Sequence, residues 1–184
     1  MKTMLGFIML ALAMVAAPVH ADEYQDAVAK FRQSPATKPY FNSAYGYAIF
    51  PTIGKGGIGI GGAYGKGRVY KGGSYVGDAS LTQVSIGFQL GGQAFSELIF
   101  FKNKAAFDNF TTGNFSFDAE ASAVAITLGA GAQAGTSGAS ANADKYQSDA
   151  AYVKGVTVFS MQTGGLMYEA ALGGQKFSYE ARKK

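Results

Sequence analysis

Seven basic residues and no acidic one fall between Asp26 and Asp78: Lys30, Arg32, Lys38, Lys55, Lys66, Arg68 and Lys71. From Asp78 to Glu180 the balance reverses, with nine acids against five bases. A one-sided run of cations is chemistry for anions, whether phosphate headgroups, nucleic acid or an acidic polymer. Tyr64 and Tyr70 interleave with these cations, and a ring with a polar tip suits a boundary between water and an apolar layer. Charge sign alone is equally compatible with a solvated face, so the pattern names a surface and not yet a ligand.

Other chemistry is thinly supplied. The chain has no cysteine and no tryptophan, and its single histidine is His20. Residues 1–21 read as a secretory signal: Lys2 supplies the positive start, Leu5 to Ala17 the apolar run, and Val19-His20-Ala21 a small-x-small cleavage site. The apolar run is short for a membrane-crossing helix, which needs about 20 residues. Cleavage after Ala21 would start the mature chain at Asp22, without any histidine. It would also take Lys2 from the 16 basic residues, leaving 15 against 12 acids. Imidazole acid–base catalysis, thiol nucleophiles and the usual zinc and copper sites then drop out. Asp118 and Glu120 share a face by alternation, but no pocket is implied around them. The expectation is a chain that is not an enzyme and takes no cofactor or metal, periplasmic or secreted.

The glycines offer one more candidate. Gly57-x-Gly59-x-x-Gly62 has phosphate-loop spacing, but Gly65 and Gly67 break any following helix. Gly65-Lys66 is followed by glycine, where a nucleoside-triphosphate loop needs Ser or Thr. Nucleotide binding is rejected. Instead Gly57, Gly59 and Gly61 alternate with Ile58 and Ile60, the period of a strand. A glycine face predicts close approach by another backbone or a ligand, and so a sterically closed surface.

The elements that must carry these residues are mostly strands. Glycine reaches 26 residues, about twice the usual 7%, and only 15% of residues are charged. Residues 23–34 predict the N-terminal helix: Asp22 can cap it, and Tyr24, Ala27, Val28 and Phe31 form one apolar stripe. Such a stripe docks on a core or lies in a membrane interface. Pro35 and Pro39 are expected to end the helix. A strand from Tyr45 to Phe50 is expected to stop at Pro51, and Gly72-Gly73 to turn the chain. Leu81 to Gly92 alternates, with Val84, Ile86, Phe88 and Leu90 on one face. Gln93–Phe101 reads as a buried strand, and Lys104–Phe110 as two helical turns facing inward with Phe107 and Phe110. Phe115 to Gly131 alternates again. Residues 133–149 read as a loop, Tyr152–Met161 and Leu166–Leu172 as the last strands, and Arg182-Lys183-Lys184 as a solvated tail. The fold class is mainly β with a minor α part. It is an antiparallel glycine-rich body, sandwich or barrel-like, with an N-terminal amphipathic helix and one short internal helix. Residues 22–184 form one domain.

Four motifs in this order resemble the SYLF domain: AYGYAIFP (Ala44–Pro51), GKGGIGIGGAYGKGRVY (Gly54–Tyr70), VSIGFQLGGQAFSELIFF (Val84–Phe101) and VTVFSMQTGGLMYEAALGG (Val156–Gly174). The chain departs from the family at Ser74-Tyr75-Val76-Gly77-Asp78, where an aromatic-serine-proline segment is usual. Glu97 is an approximate counterpart of the family's acidic residue. The resemblance implies a non-enzymatic lipid-binding module, peripheral on anionic phospholipid membranes of a bacterial envelope. Headgroup contacts would come from Lys30, Arg32, Lys55, Lys66, Arg68 and Lys71, with Tyr64 and Tyr70 at the interface. Nucleic acid is not expected. Lys102, Lys104 and Lys154 lie in the acid-balanced half and are expected to matter little. The alternatives are an integral outer-membrane β-barrel, whose alternating strands look similar, and an envelope scaffold for a protein partner.

Overall fold

The computed structural model describes residues 22–58, 60–86, 93–117, 125–128, 152–162 and 174–183. The expected signal segment and cleavage point, Gly59, Asp118, Glu120, the expected loop 133–149 and the expected strand Leu166–Leu172 with its turn lie outside them. Two helices come first: α1 (Glu23–Gln33), capped by the Asp22 side chain accepting from the Tyr24 N–H, and α2 (Lys38–Ser43). The strands are β1 (Gly46–Ile58), β2 (Ile60–Lys71), β3 (Ser74–Ile86), β4 (Gln93–Phe101), β5 (Phe115–Ser116), β6 (Ala125–Leu128), β7 (Val156–Gln162) and β8 (Gln175–Ala181), with α3 (Lys104–Thr111) between β4 and β5. They form one sheet in the order β5-β8-β3-β2-β1-β4-β7-β6. Every pairing is antiparallel except β6 with β7. No described helix is long and apolar enough to cross a membrane.

The sheet curls, and small residues are the cause. Phe50 of β1 and Phe177 of β8 meet with ring centroids 5.6 Å apart, although β2 and β3 lie between their strands. In a flat sheet three strand spacings would hold them about 14 Å apart. Ala63, Gly65 and Gly67 on β2 and Gly77 and Ala79 on β3 leave the inner face empty enough for the rings to close over it. α3 plugs the concavity with Phe107 and Phe110, which pack among Phe101, Phe177 and Val158. The outer face of β1, β4 and β7 is covered instead by α1 and α2, where Ala27, Phe31 and Tyr40 sit on Ile49, Leu98, Phe100 and Phe159. That two-sided cover is why Phe95–Phe101 is buried throughout.

Several expectations change. β1 runs through Pro51, because a register shift between Ile49 and Thr52 absorbs the missing donor; the Pro51 carbonyl accepts from Ser96 Oγ at 2.6 Å. The alternating glycine run is the tip of the β1–β2 hairpin rather than one strand, with Gly56 opposite Gly62 and Ile58 opposite Ile60. Along that hairpin the space is mixed: a Cβ on Gly54 or Gly56 would meet nothing within 4 Å, whereas one on Gly62 would lie 3.3 Å from the Gln83 carbonyl oxygen. Gly46, Gly65, Gly67 and Gly77 are crowded, as is Gly155, whose Cβ would lie 2.9 Å from that of Ala106. Pro39 does not terminate α1; it stands in the first turn of α2, where a missing N–H costs nothing. β3 begins seven residues before Leu81, and its inward row is Gly77, Ala79, Leu81 and Gln83, which leaves Val84 75% exposed. β8 was not foreseen at all. Gly72 and Gly73, at φ 53° and 81°, make the expected two-residue turn.

Candidate functional site

β2 places four of the eight sequence-derived site residues in one row. Ala63, Gly65, Gly67 and Val69 turn inward, so Tyr64, Lys66, Arg68 and Tyr70 stand on the outer face beside α1. Lys30 and Arg32 are exposed on that helix. The other two residues separate from them. Lys55 pairs with buried Ala63 and so lies on the inner face near the hairpin tip. Lys71 also turns to the inner side, at the end of β2, with its ammonium 5.2 Å from the centre of the Tyr45 ring.

The outer row is not free of acid. Arg68 is ion-paired with Asp22 and lies 4.1 Å from the centre of the Tyr24 ring and 5.2 Å from that of Tyr75. In register it faces Asp78, which in turn faces Glu180 of β8. Sequence spacing could not show this, because Asp22, Asp78 and Glu180 all lie outside the acid-free stretch and the sheet brings them in. Two shallow depressions result. One, of about 440 Å³, runs over β3, β8 and the α3–β5 turn past Ser80, Thr82 and Lys176. The other, of about 630 Å³, joins Tyr24, Tyr64 and Lys66 to Asp78, Ser80 and Glu180. Arg32 and Tyr70 meet elsewhere, in a cleft of about 310 Å³ under α1 floored by Tyr47; Tyr47 and Tyr70 stack there at 4.9 Å. The stripe of α1 is spent on the sheet, since Phe31 is fully buried and Ala27 nearly so. It is not available to a membrane while the helix is docked.

Asp22 does two jobs, capping α1 and holding Arg68. Asp22→Ala should cost about 1–2 kcal/mol, the upper part of the range for a lost cap. In urea unfolding, Arg68→Ala combined with it should cost less than the sum of the single changes, because the two share one contact. Strict additivity would mean that the pair contributes nothing.

A second group of cations was not collected by the sequence. β1, β3 and β7 start, and β2, β4 and β8 end, on the same edge of the sheet, as their registers require. That edge gathers Lys71, Lys102, Lys104, Lys154, Arg182 and Lys183. The Lys102 N–H donates to the Gly155 carbonyl beside Lys154, at 2.9 Å. Lys104 is ion-paired with Asp108, and Lys183 lies 3.8 Å from Glu180. Three of the cations lie over tyrosines: Lys71 over Tyr45, Lys102 over Tyr152 at 5.9 Å and Arg182 over Tyr75 at 5.1 Å. Lys154 occupies a left-handed position, φ 52°, at a turn tip. A lysine there is unusual, since such positions favour Gly, Asn or Asp. Among the described residues no three of His, Cys, Asp and Glu come together as a metal site would need.

Residues 82–183 match the model of one protein family, Ysc84, described as Las17-binding protein actin regulator. The match spans more than half of the chain. It contains the motifs Val84–Phe101 and Val156–Gly174; Ala44–Pro51 and Gly54–Tyr70 precede it. No curated protein matches the chain.

Proposed function

We propose a function from one premise: this chain belongs to the Ysc84 (SYLF) family. The family carries the coarse reading, a binding module tied to lipid or actin biology. The finer reading is a non-enzymatic module, exported to a bacterial envelope, that rests peripherally on anionic phospholipid surfaces. The observation that supports it is the basic edge of the sheet, where Lys71, Lys102 and Arg182 stand beside tyrosines and Lys154 occupies a turn tip. Each cation near an anionic surface contributes about 1 kcal/mol. Four would give about 4 kcal/mol, a Kd near 1 mM. Binding would therefore be weak per molecule, salt-sensitive and sensitive to each residue lost.

Co-sedimentation with vesicles is the test. The protein should pellet with phosphatidylglycerol and not with phosphatidylcholine. Binding should vanish between 0.1 M and 1 M salt, as the Debye length falls from about 10 Å to about 3 Å. Reversing Lys71, Lys102 and Lys154 to Glu should abolish binding. Reversing Lys30, Lys55 and Lys66, an equal change in charge, should leave most of it. The opposite ranking would return the site to the outer row of β2 and α1. Equal losses would reduce the effect to net charge, and indifference to lipid charge would end the phospholipid reading.

A protein partner is the second reading, favoured by the family description. The groove between Tyr24, Tyr64, Lys66, Asp78 and Glu180 mixes aromatic rings with both charge signs, as protein interfaces do. An integral barrel fits less well, because its lipid-facing surface is an apolar band. Here the outer face carries docked helices and the cations of β2.

A further inference from the structure

Glu97 lies at the middle of β4 on the inner face, with no exposed surface at all. Phe50 of β1 and Ser160 of β7 are its register neighbours. Its Oε2 accepts a hydrogen bond from Gln175 Nε2 of β8 at 3.1 Å. These strands are not adjacent, since β3, β2 and β1 separate them. The bond therefore crosses the concavity and fastens one flank of the curl to the other.

The cluster is incompletely paired. Among the described residues Glu97 Oε1, Gln175 Oε1 and Ser160 Oγ have no hydrogen-bond partner, and all three residues are fully buried. Such orphans are costly, and more so when charged. No cation among the described residues relieves a carboxylate here. Phe50 faces it from β1, Ser160 from β7 and Gln175 from β8, with Gln83 of β3 opposite Gln175. Lys55, the inner-face cation of β1, pairs with Gln93 four residues along β4. Lys176 is exposed on the other face of β8. A proton removes the difficulty, because a carboxylic acid both donates and accepts whereas a carboxylate only accepts. Protonated Glu97 keeps the Gln175 bond and gains a donor for a neighbouring acceptor.

We propose that Glu97 and Gln175 form a proton-dependent clasp across the interior: with Glu97 protonated the β4–β8 closure buries no charge, and loss of the proton leaves a desolvated carboxylate that the Gln175 bond only partly offsets. Burial pushes the Glu97 carboxyl up to about 7, partly offset by the Gln175 bond. An unfolded glutamate releases its proton near 4.5. Between these values the folded state holds one more proton than the unfolded state, so stability is highest at low pH and falls as pH rises towards 7.

The test is urea unfolding of the protein and of Glu97→Gln at pH 5 and pH 8. The folded-to-unfolded ratio of the wild type should fall roughly a hundredfold more than that of the variant, tenfold for each of about two pH units. Equal pH dependence in the two would overturn the clasp. Gln175→Leu should move the midpoint of the loss to higher pH, since it removes the bond that favours the carboxylate. Infrared titration of the wild type needs no variant to fold: a buried carboxylic-acid band should disappear near pH 7. Its absence at pH 5 would refute the proposal. Calcium or magnesium restoring the lost stability at pH 8 would also refute it, because the unpaired oxygens would then hold a metal ion rather than a proton.

Discussion

Gly67→Ala should be among the most damaging single-methyl additions in this chain, while Gly56→Ala should be harmless. A Cβ on Gly67 would stand 2.6 Å from two ring carbons of Phe50 and 2.9 Å from the Ile49 carbonyl oxygen. Phe50 cannot step aside, being fully buried and packed against Phe177. The carbonyl belongs to a paired strand and cannot retreat without breaking register. Overpacking of this kind costs about 3 kcal/mol or more when backbone must move. At Gly56 nothing lies within 4 Å, and restricting the unfolded chain should stabilise by about 0.5 kcal/mol. Urea midpoints of the two variants decide the matter. If they agree, the inner glycines are not what lets the sheet curl.

The same two glycines mark what the sequence could and could not reveal. Alternation announced strands around both, and antiparallel glycine-rich β structure is what forms. Yet period two is unchanged by a reversal of the chain. Gly57-Ile58-Gly59-Ile60-Gly61 reads as one strand whether it runs straight or folds back on itself, because no Asn, Asp or Pro marks the turn. Gly72-Gly73 was legible because adjacent glycines between alternating segments specify a turn with positive φ. α1 was legible through its cap and stripe, and α3 through the spacing of Phe107 and Phe110. α2 was not, since a six-residue helix has too few turns to show a period, and Pro35 and Pro39 read as terminators. β8 was hidden in a charged C-terminal segment whose inward row is Gln175, Phe177 and the half-buried Tyr179.

The candidate site was legible only in part. Tyr64, Lys66, Arg68 and Tyr70 share a face as the period requires, but their acidic neighbours arrive from distant segments through strand pairing. The basic edge of the sheet is assembled from four separated stretches, and no window of sequence contains it. Glu97 carried one local signal, a carboxylate inside the otherwise apolar run Leu98–Phe101 and Phe95. Its partner Gln175 lies on a strand that was not foreseen.

Phe100→Ala should be the costliest truncation on the outer face. The ring is fully buried and stands between elements: stacked on Tyr40 at 5.5 Å, and edge-on to Phe41 at 4.9 Å, Tyr47 at 6.1 Å and Phe159 at 6.0 Å. Removing a buried phenylalanine costs about 3–5 kcal/mol, because the cavity closes only partly. The upper half of that range is expected, since Tyr40 and Phe41 belong to α2 and lose the surface on which that helix is seated. For a chain of this size each kcal/mol lowers Tm by roughly 2–4 °C, so melting should move by about 10 °C or more. Phe41→Ala, at a half-buried ring on the same helix, should cost about half as much. The contrast separates a central anchor from one at the margin. A loss below about 1 kcal/mol for Phe100→Ala would mean that α1 and α2 hold to the sheet without it. The helices would then be free to lift, and the buried stripe of α1 could reach a membrane after all.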